Sequence, residues 1–139
     1  MNNRSMPPGA FIPELAYADV PAAAAWLCRA FGFQERLRIG DHRCQLVFGG
    51  GSMVVVEGGR EPAGERTHSV MVSVPDVDAH HAQAVLAGAR ILRPPETQPF
   101  GERQYTAVDL GGHQWTFSQS VADIDPAAWG GQLPPRLSA

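Results

Sequence analysis

The chain has 139 residues and a mass of 14.9 kDa, which fits one domain able to bury a core without disulfide or metal staples. A net charge of −3 and a pI near 5.9 supply no basic face, so nucleic acid is excluded as an expected partner. No apolar run approaches the roughly 18 residues of a membrane span, and residues 1–10 lack a signal-peptide core, so a cytoplasmic protein is expected.

Residues 1–10 form a leader without periodicity. Phe11 to Ala18 alternates as a strand, with Leu15 and Tyr17 on one side and Ile12, Glu14 and Ala16 on the other. Asp19 then caps a helix with Pro21 in its first turn, and Gly32 stops it. Ala23, Trp26, Leu27 and Ala30 are its expected buried stripe. Phe33 to Ile39, Arg43 to Phe48 and Ser52 to Glu57 read as three strands joined by glycine turns.

Residues 58–67 read as a linker, and after them the first pattern returns. A strand at His68 to Val74 leads to Asp76, a helix at Val77 to Ala87, and Gly88. Arg90 to Leu92 is strand-like, Arg93 to Phe100 a proline-rich loop, and Arg103 to Val108 with His113 to Gln119 a hairpin. Gly111-Gly112 is expected to supply positive φ angles for a two-residue turn. The chain is therefore βαβββ at 11–57 and βαβββ again at 68–119, an internal duplication. Residues 120–139 are a tail, where Asp125 to Trp129 makes one helical turn. Trp129 is expected to dock on its own domain or on a second subunit. Cys28 and Cys44 lack metal-pair spacing and read as buried thiols in a reducing compartment.

Alternation assigns a set of side chains to a hollow in front of the sheets. It contains Ile12, Glu14 and Ala16, then Met53, Val55 and Glu57, then Ser69, Met71 and Ser73, with Arg103, Tyr105, Gln114 and Thr116. Glu14, Met53, Glu57, Ser69, Met71, Arg103, Tyr105, Gln114 and Thr116 are the candidate ligand-binding residues. Such a mixture suits a small organic molecule with polar groups. Arg103 can hold a carboxylate or phosphate in bidentate fashion, or pair with Glu57 or Glu14. Tyr105 can stack, donate its hydroxyl, or fill volume. His80 and His81 are expected on the solvated side of the second helix. No nucleophile elbow, phosphate loop or Ser/His/acid spacing is present, so no catalytic residue is assigned.

Two βαβββ modules, Asp19 followed by Phe31-Gly32-Phe33, and Asp109-x-x-Gly112-His113-x-Trp115-x-Phe117 together resemble the vicinal oxygen chelate superfamily, which includes glyoxalases, bleomycin-resistance proteins and extradiol dioxygenases. The resemblance implies an α+β fold of cupped mixed sheets with outer helices, and a homodimer. In the superfamily's metalloenzymes four strands each give a ligand, and the matching positions here hold Ile12, Glu57, Ser69 and Thr116. Only Glu57 has suitable chemistry, with His68, Glu14 and His113 as displaced alternatives; His113 reads first as a turn residue bonding nearby backbone. The expectation is a metal-free small-molecule binder without cofactor, drug sequestration among its roles; the alternative is a divalent-metal glyoxalase- or dioxygenase-like enzyme.

Overall fold

A computed structural model of the chain describes residues 4–58 and 68–133. Nearly all of the linker expected at 58–67 lies outside the described residues. The first module is β1 (Glu14–Tyr17), α1 (Val20–Phe31), β2 (Gln34–Ile39), β3 (Arg43–Phe48) and β4 (Gly51–Glu57). The second is β5 (Val70–Ser73), α2 (Val77–Leu86), β6 (Arg90–Thr97), β7 (Glu102–Val108) and β8 (Gln114–Ser120). Each module makes one four-stranded mixed sheet, ordered β1-β4-β3-β2 and β5-β8-β7-β6. In both, the helical crossover lets the module's first strand pair in parallel with its last. The expected α+β architecture of duplicated modules is what the chain adopts.

The local signals act as their chemistry requires. Asp19 accepts from the Ala22 amide at 3.0 Å and Asp76 from the Ala79 amide at 3.1 Å, satisfying helix-start donors. Gly32 closes α1 at φ 83°, a conformation open to glycine at little cost. Val20, Ala23, Ala24, Leu27, Ala30 and Phe31 are the buried face of α1. Trp26 is half-buried and donates its indole N–H to the Ala87 carbonyl at 3.0 Å, tying the two helices together. One core spans both modules, and Phe31 sits at its centre against Trp115, Phe117 and His80.

Three local expectations need correction. β6 runs from Arg90 through Pro94 and Pro95 to Thr97 instead of ending at Leu92. It is the outer strand of its sheet, with register shifts against β7, and a proline there removes no ladder bond that a central strand would need. The turn between β7 and β8 spans Asp109 to His113, and only Gly112 has positive φ, 85°. Gly111 is needed for space: a Cβ there would lie 2.5 Å from the Tyr17 ring. Finally, the first strand starts at Glu14, and residues 4–10 before it lie across the sheet.

In the tail, Pro126–Trp129 forms a 3-10 turn capped by Asp125, which accepts from the Ala127 amide at 3.1 Å. Trp129 meets Phe100 edge-on at 6.0 Å and donates to the Ile124 carbonyl at 3.2 Å. It therefore packs in part on its own chain. Among the described residues, no helix is long and apolar enough to cross a membrane.

Candidate functional site

Strand register decides which side chains face which way. In the first sheet Leu15 stands beside Val55 and Val55 beside Cys44, with Leu46 beside Met53, so these residues form the helix-facing side. Glu14 and Ala16 stand beside Val54 and Val56 on the opposite, open side. The expected grouping of Met53, Val55 and Glu57 with Glu14 is thus off by one residue, and a one-residue slip exchanges faces. In the second sheet Met71, Thr116 and Thr106 form one row of the open side, and Ser73, Ser118 and Gln104 the next. Ser69, Met71 and Ser73 are exposed and Gln114 and Thr116 half-buried. The Thr116 and Thr106 hydroxyls are 3.2 Å apart.

Arg103 and Tyr105 were expected in the hollow, and the register turns both toward α2 instead. Tyr105 stands beside Phe117 and is buried, and Arg103 stands beside Gln119. The Arg103 guanidinium pairs with Asp78 at 3.1 Å and donates to Thr97 Oγ1 at 3.2 Å. The alternative pairing with Glu14 or Glu57 does not form; Glu14 pairs with Arg43 at 2.8 Å. The Tyr105 hydroxyl donates to His80 Nδ1 at 2.5 Å, while His80 Nε2 donates to the Phe31 carbonyl at 2.8 Å. His80 was expected in solvent and is half-buried here, because β7 and α1 each bring a polar group to it. Burial pulls its pKa below the ordinary histidine value and pushes the Tyr105 hydroxyl up.

Asp109 opens the motif that carries the resemblance, and its pattern assigns it no bond. It is buried, and it accepts from Tyr17 Oη at 2.6 Å, Trp115 Nε1 at 2.9 Å, and the Gly111 and His113 amides at 2.9 Å each. Through Tyr17 it joins the second module's turn to the first module's first strand. Burial, then the Asp109 charge, drive the Tyr17 hydroxyl far above the usual tyrosine range. The two thiols are free. Burial and the Glu35 carboxylate, which accepts the Cys44 S–H at 3.3 Å, push Cys44 up to about 12, leaving it an inert thiol.

A cavity of about 400 Å³ lies at the seam between the modules. Its walls are Phe33, the β3–β4 hairpin with Phe48, Met53 of β4, strand β5, and Trp115, with Phe11 and Pro13 at one side. Phe33 meets both Phe48 and Trp115 at 5.6 Å between ring centroids. Among the described residues, no charged side chain lines it. Of the nine candidate ligand-binding residues, Met53 and Met71 line it. Phe11, Phe33, Phe48 and Trp115 were missed as site residues; they read as ordinary core positions, and the local density of aromatics was the signal available.

A sequence profile of the glyoxalase/bleomycin resistance protein/dioxygenase superfamily matches residues 12–117. The chain belongs to this superfamily. TioX from Micromonospora sp. ML1 is similar, with 38% identity and a TM-score of 0.70 over 81% of this chain and 99% of that one. A glyoxalase-related enzyme from Fulvimarina pelagi shares the fold at 19% identity, with a TM-score of 0.65 over 80% of this chain and 87% of that one. Uncharacterized proteins of Mycobacterium bovis and Mycobacterium tuberculosis are 32% identical over 77 residues, 55% of this chain. The chain spans under half of their lengths, 47% and 42%.

The superfamily's metal implies a donor set, and the residues present do not fit one. Ile12 has no donor atom, Ser69 and Thr116 offer neutral hydroxyls, and Glu57 is exposed at the end of β4. His68 and His113 have ring centroids 6.1 Å apart, but His113 Nε2 is committed to the Ala16 carbonyl at 2.8 Å. Among the described residues, no three His, Cys, Asp or Glu side chains group as metal ligands.

Proposed function

We propose that this protein binds an uncharged, largely apolar small organic molecule in the seam cavity, with sequestration of that molecule as its role. The observation that carries the reading is a hollow of about 400 Å³ walled by four aromatic rings and two thioethers, with no charged side chain among the described residues that line it. A desolvated ionic ligand would find no counter-charge there, whereas a planar apolar one gains ring and sulfur contacts. The volume lies within the range of small-molecule sites. Ser52, Ser73 and the Gly49–Gly51 backbone supply the few polar contacts that orient a ligand. From Met71 a larger ligand can spread along the open row of Thr116 and Thr106.

This reading uses no metal ion, and Glu14, Glu57, Arg103 and Tyr105 take no part in holding the ligand. Two free thiols suit a reducing cytoplasm, and the exposed apolar side chains of Leu37, Ile39 and Leu92 on the outer strands suit a homodimer.

Titration with Nile red, a neutral planar dye, tests the reading. The wild type is expected to bind it with an emission blue shift and a raised melting temperature. Met71→Glu, at an exposed lining position, is expected to weaken binding about tenfold by placing a charge in the hollow. Absence of dye binding by the wild type, or indifference to Met71→Glu, overturns the assignment. So does one tightly held divalent ion per chain that is lost in Glu57→Ala. Light scattering decides the dimer.

A further inference from the structure

Residues 4–10 lie across the open face of the first sheet, held by side chains of that sheet. Arg36 donates to the Arg4 carbonyl at 3.2 Å, Gln45 to the Ser5 carbonyl at 2.7 Å, and Ser52 to the Pro8 carbonyl at 2.6 Å. Arg36 also donates to Gln45 Oε1 at 2.5 Å, so the first two latches brace each other. Pro7 is buried under this arrangement, and Gln45 is only 3% exposed. Just beyond, Gly9 lies against the β3–β4 hairpin: a Cβ there would be 3.7 Å from the Gly50 carbonyl and 3.8 Å from Gly51 Cα. That hairpin is a wall of the cavity.

Phe11 follows between two fixed points. Ahead of it the Pro8 carbonyl is held by Ser52; behind it the Pro13 carbonyl accepts the Val54 amide at 2.9 Å. Between them Phe11 lines the cavity while its residue is 92% exposed. A large ring at a cavity's edge with so little burial has little packing to hold it, and its placement depends on the backbone either side.

We infer that Arg4 to Phe11 is a latched strap that carries Phe11 as the movable wall of the cavity, so that Arg36 and Gln45 position the gate that sets ligand entry and exit. The inference rests on the binding reading above and adds who controls access. All three latches end on main-chain carbonyls, so strap position depends on carbonyl spacing and not on leader side chains at those points. Release at Arg36 and Gln45 leaves Ser52 as the last of the three latches ahead of Phe11, so the Pro8 end opens more often, with Pro13 as the pivot. Phe11 then swings away from the mouth, and both entry and exit become faster.

Stopped-flow mixing of the full chain with Nile red tests this. Arg36→Ala and Gln45→Ala are each expected to raise association and dissociation rates together, roughly fivefold for the loss of an ordinary hydrogen bond, with Kd within about twofold of wild type. Amide exchange across residues 4–11 is expected to quicken in the same variants, and Arg36→Lys to restore part of the slow rate. Phe11→Ala removes the gate itself and is expected to raise both rates, dissociation the more because a wall contact is also lost, and Phe11→Tyr to behave as wild type. Arg36 is exposed, so its variant tests the latch where Gln45→Ala fails to fold. Wild-type rates in a folded variant whose leader exchanges faster overturn the strap alone, as does unchanged leader exchange. No dye binding by the wild type overturns the binding reading and the strap with it.

Discussion

The two modules repeat one order of elements, yet their helices contribute unequally to the shared core. α1 buries six apolar side chains, whereas α2 buries Val77 and Ala84 and leaves Leu86 83% exposed. What α2 and its sheet bring instead is polar: His80 on the Tyr105 hydroxyl and the Phe31 carbonyl, and Asp109 on Tyr17 and Trp115. The first helix supplies bulk, and the second helix with the β7–β8 turn supplies directed bonds that fix how the modules meet. Burial is forgiving about angle and hydrogen bonds are not, so the division gives cohesion from one helix and register from the other helix and the turn. The open faces differ too. The first is crossed by the strap, while the second carries the exposed Met71 and a hydroxyl row.

The sharpest break of that contrast is Phe31→Ala. It removes the ring shared by Trp26, His80, Trp115 and Phe117, and is expected to cost about 3–5 kcal/mol in urea unfolding. Asp109→Ala strips the acceptor from four donors, two of them buried side-chain groups, for an expected loss of about 3 kcal/mol. A loss under about 0.5 kcal/mol there would mean the Asp109 bonds add nothing to the hold between the modules.

A matched pair of leucines sharpens the helix comparison. Leu27→Ala in α1 is expected to cost about 2–4 kcal/mol, and Leu86→Ala in α2 less than about 0.5 kcal/mol. Equal effects would mean Leu86 is covered in the assembled protein.

The smallest expected effect is pH-dependent. Burial depresses the His80 pKa, so the unfolded chain binds its proton first as pH falls. Its contribution is full above about pH 6.5, the unperturbed histidine value, and is lost progressively below it. Wild-type stability in urea unfolding is expected to fall from pH 6.5 toward pH 5, and His80→Gln to flatten that fall. Glu35 and Glu102, whose pKa values are lowered by hydrogen bonds, act only at more acidic pH.

Much of the architecture was legible because it depends on neighbours in sequence. Asp19 and Asp76 cap because their side chains reach three residues ahead, and Gly32 stops α1 because its own φ can turn positive. The duplication followed from those local units recurring. The site was less legible because it depends on faces and on distant partners. Alternation within a strand was read correctly for Leu15 and Tyr17, but carrying that parity across to β4 and β7 required knowing the pairing register. Hence Tyr105 and Arg103 were assigned to the wrong side, and His80 to solvent. Met53 and Met71 reach the cavity from opposite faces of their sheets, which no single alternation rule connects.

By itself, the sequence determined the paired modules, their helix caps, and the poverty of metal donors at the family positions, since each is a matter of residue type and short spacing. Only the tertiary structure decided which face each strand presents, that Asp109 and His80 bind across the seam, and that the leader lies over the first sheet. Those outcomes rest on contacts between residues as many as 92 positions apart, where register and burial act together.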